Sequence, residues 1–154
     1  MSETVQIKKE DALKALQQAP KELQPLFTTL FGGLKPLKIT ERIQTFEDVE
    51  AITGKKLTQQ DGETTDEFAY RQAKLIAEAY NEGEQLDPMN TNQTKYFPWF
   101  KINPSVSGVG LSYSGYAYWY SFSHIGVRLC FSTSANAIDA GKKFTTIYSN
   151  FLIK

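Results

Sequence analysis

Apolar residues recur at three- and four-residue spacing through the first half of the chain, then at two-residue spacing from about residue 96. Lys8 to Gln18 carries Ala12, Leu13, Ala15 and Leu16, and Pro20 closes that helix. Leu23, Leu26, Phe27 and Leu30 repeat the helical spacing before Gly32-Gly33. A third helix is predicted from Thr45 to Thr53. Thr45 is placed to cap it, and Glu47 and Asp48 suit the half-positive first turn. Phe46, Val49 and Ile52 share a face, and Gly54 ends it. Residues 54–64 read as a linker or long loop. The pattern then predicts the clearest helix, from Thr64 to Tyr80, opened by a capping box of Thr64 and Glu67 and closed by Asn81-Glu82-Gly83. A polar turn region, Asp87 to Gln93, follows.

The two-fold period predicts strands. Tyr96 to Ile102 is a short aromatic strand, with Pro98 marking an edge or a start. From Leu111 to Phe131, Tyr116, Tyr118, Tyr120, Phe122 and His124 fall on one face, and Ala117, Trp119, Ser121 and Ser123 on the other. After a turn at Gly126, Val127, Leu129 and Phe131 alternate with Arg128 and Cys130, which extends the strand reading to residue 131. Ser134 is the expected cap of a last helix to Ile153, whose Ile138, Gly141, Phe144, Ile147, Tyr148, Phe151 and Leu152 form one stripe. The expected fold is α+β: N-terminal short helices, then a small antiparallel β-sheet packed by two amphipathic helices. The expected division is a helical N-terminal region, 1–60, serving assembly or anchoring, and an α+β domain, 61–154.

Composition places the chain among globular proteins, with 41% hydrophobic and 22% charged residues. Cys130 is the lone cysteine, so an intrachain disulfide is excluded, and with it a secreted disulfide scaffold. The polar stretch Met1 to Leu16 lacks a signal-peptide core, and no apolar run reaches the roughly 18 residues of a membrane span. Intracellular synthesis and no membrane insertion are therefore expected. The zero net charge conceals an asymmetry: 16 acids and 13 bases precede residue 102, whereas residues 102–154 hold four bases and Asp139. No basic cluster exceeds two adjacent lysines, so no nucleic-acid partner is expected.

Catalytic chemistry finds little purchase. One His and one Cys exclude a tetrahedral Cys/His zinc site. His124 and Cys130 would lie about 20 Å apart along one strand and could meet only across a turn at Gly126. Gly108 and Gly110 precede a strand, so they cannot cradle phosphate at a helix start. Glu47-Asp48 and Asp66-Glu67 stand where the helix dipole already explains them. The expectation is a protein without catalytic residues, metal or cofactor.

One stretch departs from this background. No residue between Lys101 and Arg128 is formally charged, and Ser105 to His124 holds six Ser, three Gly and four Tyr with Trp119 and Phe122. Tyr and Trp supply amphipathic contact area at low entropic cost, while Ser and Gly adapt their backbone and hydrogen bonding. Aromatic faces also stack on sugar rings or bases. Packing against the last helix could claim Tyr116, Tyr118, Tyr120 and Phe122 for the core. A core face prefers Val, Ile and Leu, however, and buried hydroxyls need partners. The candidate ligand-binding residues are Tyr113, Tyr116, Tyr118, Trp119, Tyr120 and His124. The segments Tyr96–Phe100 and Val127–Phe131 are expected to frame them within the sheet.

Three segments together, Lys38 to Asp48, Asn92 to Phe100 and Val127 to Phe131 followed by Ala140-Gly141 and Phe144, carry a resemblance. Their pattern resembles a group of small, largely uncharacterised proteins from phages and prophages of gut Bacteroidetes, over residues 38–154. Many of those have Ser where this chain has Val127. The resemblance supplies no catalytic residues. It implies a phage context and a virion-associated or host-surface-binding role, with 105–124 as the interchangeable segment. The partners so implied are a host-surface glycan or protein, other virion proteins, and copies of the chain in a homo-oligomer. The alternative expectation is an intracellular phage structural or regulatory protein whose aromatic surface meets another chain.

Overall fold

The computed structural model describes residues 5–153 except 21, 106–107 and 120–125; at 103–105, 108–110 and 119 it describes the backbone alone. The described residues form an α+β fold of seven helices and a two-stranded antiparallel sheet. The chain separates into two compact units, 1–41 and 42–154.

The first unit holds α1 (Lys9–Gln18) and α2 (Gln24–Leu30). Ala12 and Leu16 of α1 are buried. Pro25 opens α2, and Gly32 and Gly33, both left-handed at φ 65° and 84°, end it. α2 buries none of its residues, and Leu26 and Leu30 stand exposed. A single turn, α3 (Ile39–Arg42), lies at the boundary.

In the second unit, α4 (Phe46–Thr53) starts where the Asp48 carboxylate accepts from the backbone N–H groups of Gln44 and Thr45, both at 2.9 Å. Those two bonds are the main reason Asp48 titrates below the usual carboxylate range. Gly54, left-handed at φ 67°, stops the helix. The loop at 54–64 is stitched down: Leu57 N–H donates to Glu50, and Arg71 donates to Glu63 at 2.7 and 2.8 Å. α5 (Thr65–Tyr80) opens on the Thr64/Glu67 capping box and buries Ala69, Ala73, Leu75, Ile76, Ala77, Ala79 and Tyr80. α4, assigned to the N-terminal region by sequence, belongs to this unit and packs on α5.

The hairpin consists of β1 (Lys95–Ser105) and β2 (Gly108–Trp119), longer than the strand expected at 96–102. Lys95, although buried, keeps its ammonium satisfied by donating to the carbonyls of Asn90 and Gln93, each at 2.9 Å. Lys95 thereby ties the polar turn to the start of β1. Pairing runs from Lys95–Trp119 to Ser105–Gly108, with a register shift that leaves Ser114 as an extra residue on β2.

Three sequence expectations fail here. Val127–Leu129 is a 3₁₀ turn, and only Phe131 reaches the sheet, through paired backbone bonds with Tyr96 at 3.0 and 2.7 Å. Gly126 stands at φ 85°, and the Leu129 and Cys130 N–H groups donate back to the carbonyls of Gly126 and Val127. The last helix is two, α6 (Ser134–Lys143) and α7 (Thr145–Leu152), separated at Phe144. The Thr145 hydroxyl donates to the carbonyls of Gly141 (2.8 Å) and Lys142 (3.2 Å), taking a place in the carbonyl ladder and favouring the break. Thr133, not Ser134, caps α6, accepting from the Asn136 N–H.

Polar side chains lock these elements together. Asn81 donates to the Cys130 carbonyl and accepts from the Ser132 N–H, both at 2.9 Å. Asn136 donates to the Tyr80 carbonyl. The Tyr80 hydroxyl donates to Asp139 at 2.6 Å, while Lys143 bridges Asp139 and the Ile43 carbonyl.

Candidate binding surface on the hairpin

Neighbours along a strand point to opposite faces, so register assigns each aromatic of the hairpin to a side. Tyr96, Pro98 and Phe100 pair with Tyr118, Tyr116 and Tyr113 in that order. The extra Ser114 makes this possible. It absorbs the odd count between Tyr113 and Tyr116, so that all three β2 tyrosines share one face.

That face is divided. Its middle packs on α6 and α7. Gly141 comes so close that a Cβ built there would lie 2.6 Å from the Tyr113 ring and 2.7 Å from Pro98 Cβ. Phe100 meets Tyr113 edge-on at 6.1 Å and Tyr148 at 5.1 Å. Tyr148 is buried, which raises its phenol above the ordinary range. Burial, then the neighbouring Tyr116, raises Tyr113 as well. Lys142 lies 5.9 Å from the Tyr113 ring. Tyr113, a predicted binding residue, therefore spends much of its surface on packing.

Toward the open end of the hairpin the face is accessible. Tyr116 is 43% exposed and Tyr118 52%. Tyr96 lies between them, with ring centroids 5.7 Å from Tyr116 and 6.1 Å from Tyr118. These spacings fall in the range where tilted and edge-to-face aromatic contacts are favourable. Tyr96 joins the group through register alone; sequence reasoning had assigned it to the frame. The phenol dipoles and ring faces can serve hydrogen bonding and stacking together, without a formal charge among the three.

Of the other predicted residues, Trp119 is placed opposite Lys95 at the end of β2. Tyr120 and His124 lie outside the described residues, as do Ser121, Phe122 and Ser123. On the opposite face, Phe97 is buried with Leu86 and Cys130 against Ala117 and Val127. Trp99, 56% exposed, stands across from Gly115. Cys130 is buried, its Sγ 3.5 Å from the Gly126 carbonyl oxygen. Among the described residues no group of three or more His, Cys, Asp or Glu could hold a metal ion, and no helix is long and apolar enough to cross a membrane. No family model, curated protein or solved structure matches the chain.

Proposed function

We propose that the protein is a non-enzymatic, phage-associated binding or adhesion module that presents Tyr96, Tyr116 and Tyr118 to a host-surface glycan or protein. One observation carries the reading: Tyr116 and Tyr118 remain about half exposed on a sheet face whose centre is otherwise committed to packing. Exposed amphipathic rings on a hairpin packed against α6 and α7 offer large contact area at low entropic cost. The sequence resemblance to phage proteins supports the biological setting. The N-terminal unit, with its exposed leucines on α2, serves in this reading as the attachment to other virion proteins or to further copies of the chain.

The test is binding of the purified protein to cells of gut Bacteroidetes strains, with and without periodate treatment of the cell surface. A strain bound by the parent protein should bind the Tyr116→Ala/Tyr118→Ala double variant at least roughly tenfold more weakly, as expected for loss of two aromatic contacts. Periodate sensitivity identifies a glycan; insensitivity, a protein. Undiminished binding by a folded double variant would remove the tyrosines from the site.

A further inference from the structure

A groove of about 550 Å³ opens beside the last turn of α5, within the size range of small-molecule sites. Pro88 and Val127 provide most of its apolar surface, with the buried Ala77 and Leu86 behind them. Leu86 and Val127 also pack around Phe97, on the strand face opposite the tyrosines, so the groove floor continues into the core. Its rim is charged unevenly. Lys55 is held by both carboxylate oxygens of Glu78, at 2.5 and 2.8 Å, and the two largely cancel. Lys74 and Arg128 also line the groove, and neither is in an ion pair among the described residues. Besides the paired Glu78, Glu84 is the one acid among the described lining residues. The Lys74 ammonium rests 4.9 Å from the Tyr70 ring, a contact that leaves N–H donors available to a further acceptor. The wall at Gly83 follows Glu82, whose φ of 50° is the one positive value of a non-glycine residue among the described residues. That conformation belongs to the turn that closes α5, where the Glu82 N–H donates to the Ala79 carbonyl at 3.0 Å and the Gly83 N–H to the Glu78 carbonyl at 3.1 Å.

We propose that this groove binds a small amphipathic organic anion. Its apolar body would lie on Pro88 and Val127, over the buried Leu86, and its carboxylate or sulfonate between Lys74 and Arg128. The competing role for the two cations is to offset the half-negative C-terminal end of α5. That role predicts an effect on stability and none on ligand affinity. The two roles are therefore separable by measurement.

The test uses the full chain with 8-anilinonaphthalene-1-sulfonate, and with N-phenyl-1-naphthylamine, which has the same ring system and no charge. The expected result is saturable one-to-one binding of the sulfonate, with the neutral compound roughly tenfold weaker or more. Arg128→Gln and Lys74→Gln should each weaken the sulfonate by up to roughly tenfold, the scale of one charge-assisted hydrogen bond. Leu26→Glu, on the exposed face of α2, should leave its affinity unchanged. Equal affinity for the two compounds, loss of binding in Leu26→Glu, or an unchanged affinity with a lowered melting temperature in Arg128→Gln would each overturn the proposal. None of these readouts depends on the tyrosine surface.

Discussion

Gly141 is the residue on which the seating of the hairpin depends. A methyl group there would fall well inside contact distance of the Tyr113 ring and of Pro98, whose own ring cannot swing aside. Ala in place of Gly in a helix gains about 1 kcal/mol from backbone entropy. Overpacking a tight contact costs about 1–3 kcal/mol. Gly141→Ala should therefore lower the melting temperature, and the loss should shrink in a Tyr113→Ser background, as a double-mutant cycle followed by circular dichroism would show. The glycine was legible in sequence only as a member of an apolar stripe. Its purpose depends on which residue of a distant strand faces it, and a one-residue bulge decides that. Short-range devices were legible: the Thr64/Glu67 capping box and the left-handed Gly54 stand where the pattern of residues places them, because their partners lie within one helical turn.

Among the elements, segment 126–133 shows how local pattern and tertiary demand can part company. Val127, Leu129 and Phe131 alternate as a strand would, yet burial of Leu129 is achieved within a 3₁₀ turn. The segment is held by Asn81, which satisfies the Cys130 carbonyl and the Ser132 N–H from the end of α5. Asn81→Leu would remove both hydrogen bonds, at about 0.5–1.5 kcal/mol each. The expected outcome is a lower midpoint in urea, and faster hydrogen exchange at Phe131 and Tyr96, whose mutual bridge depends on this segment. Unchanged exchange at those two amides would show that the bridge stands without Asn81. No sequence pattern announces such a role, since an Asn after a helix reads first as its terminator.

For the whole molecule, the strongest titration effects concern two buried tyrosines that are not among the three proposed to bind. Burial raises the phenols of Tyr80 and Tyr148 above their ordinary pKa of 10.0, and Asp139 adds to the effect at Tyr80 by accepting its hydroxyl. A raised folded-state pKa favours the protonated native form. This contribution is fully present below about pH 10 and is lost as the pH rises above it, because the unfolded chain then releases protons that the folded one retains. The melting temperature should fall above about pH 10. Tyr148→Phe should match the parent at pH 7 and decline less steeply in alkali; an identical alkaline slope in the variant would remove Tyr148 from this account. Depressed carboxylates such as Asp48 act in the opposite sense, and their contribution disappears as the pH falls through their folded-state values.

The extra residue at Ser114 also bears on how the chain can change in length. Side chains alternate with every position of a strand, so a single insertion ordinarily turns everything beyond it to the other side of the sheet. β2 already contains one such insertion, and the ladder accommodates it. Removing Ser114 should restore a regular ladder and keep Tyr113, Tyr116 and Tyr118 on their present side. Adding a residue between Tyr116 and Ala117 should send one tyrosine to the far side. Length variation among natural versions of this hairpin is therefore expected to gather at Ser114, and elsewhere to come in matched pairs.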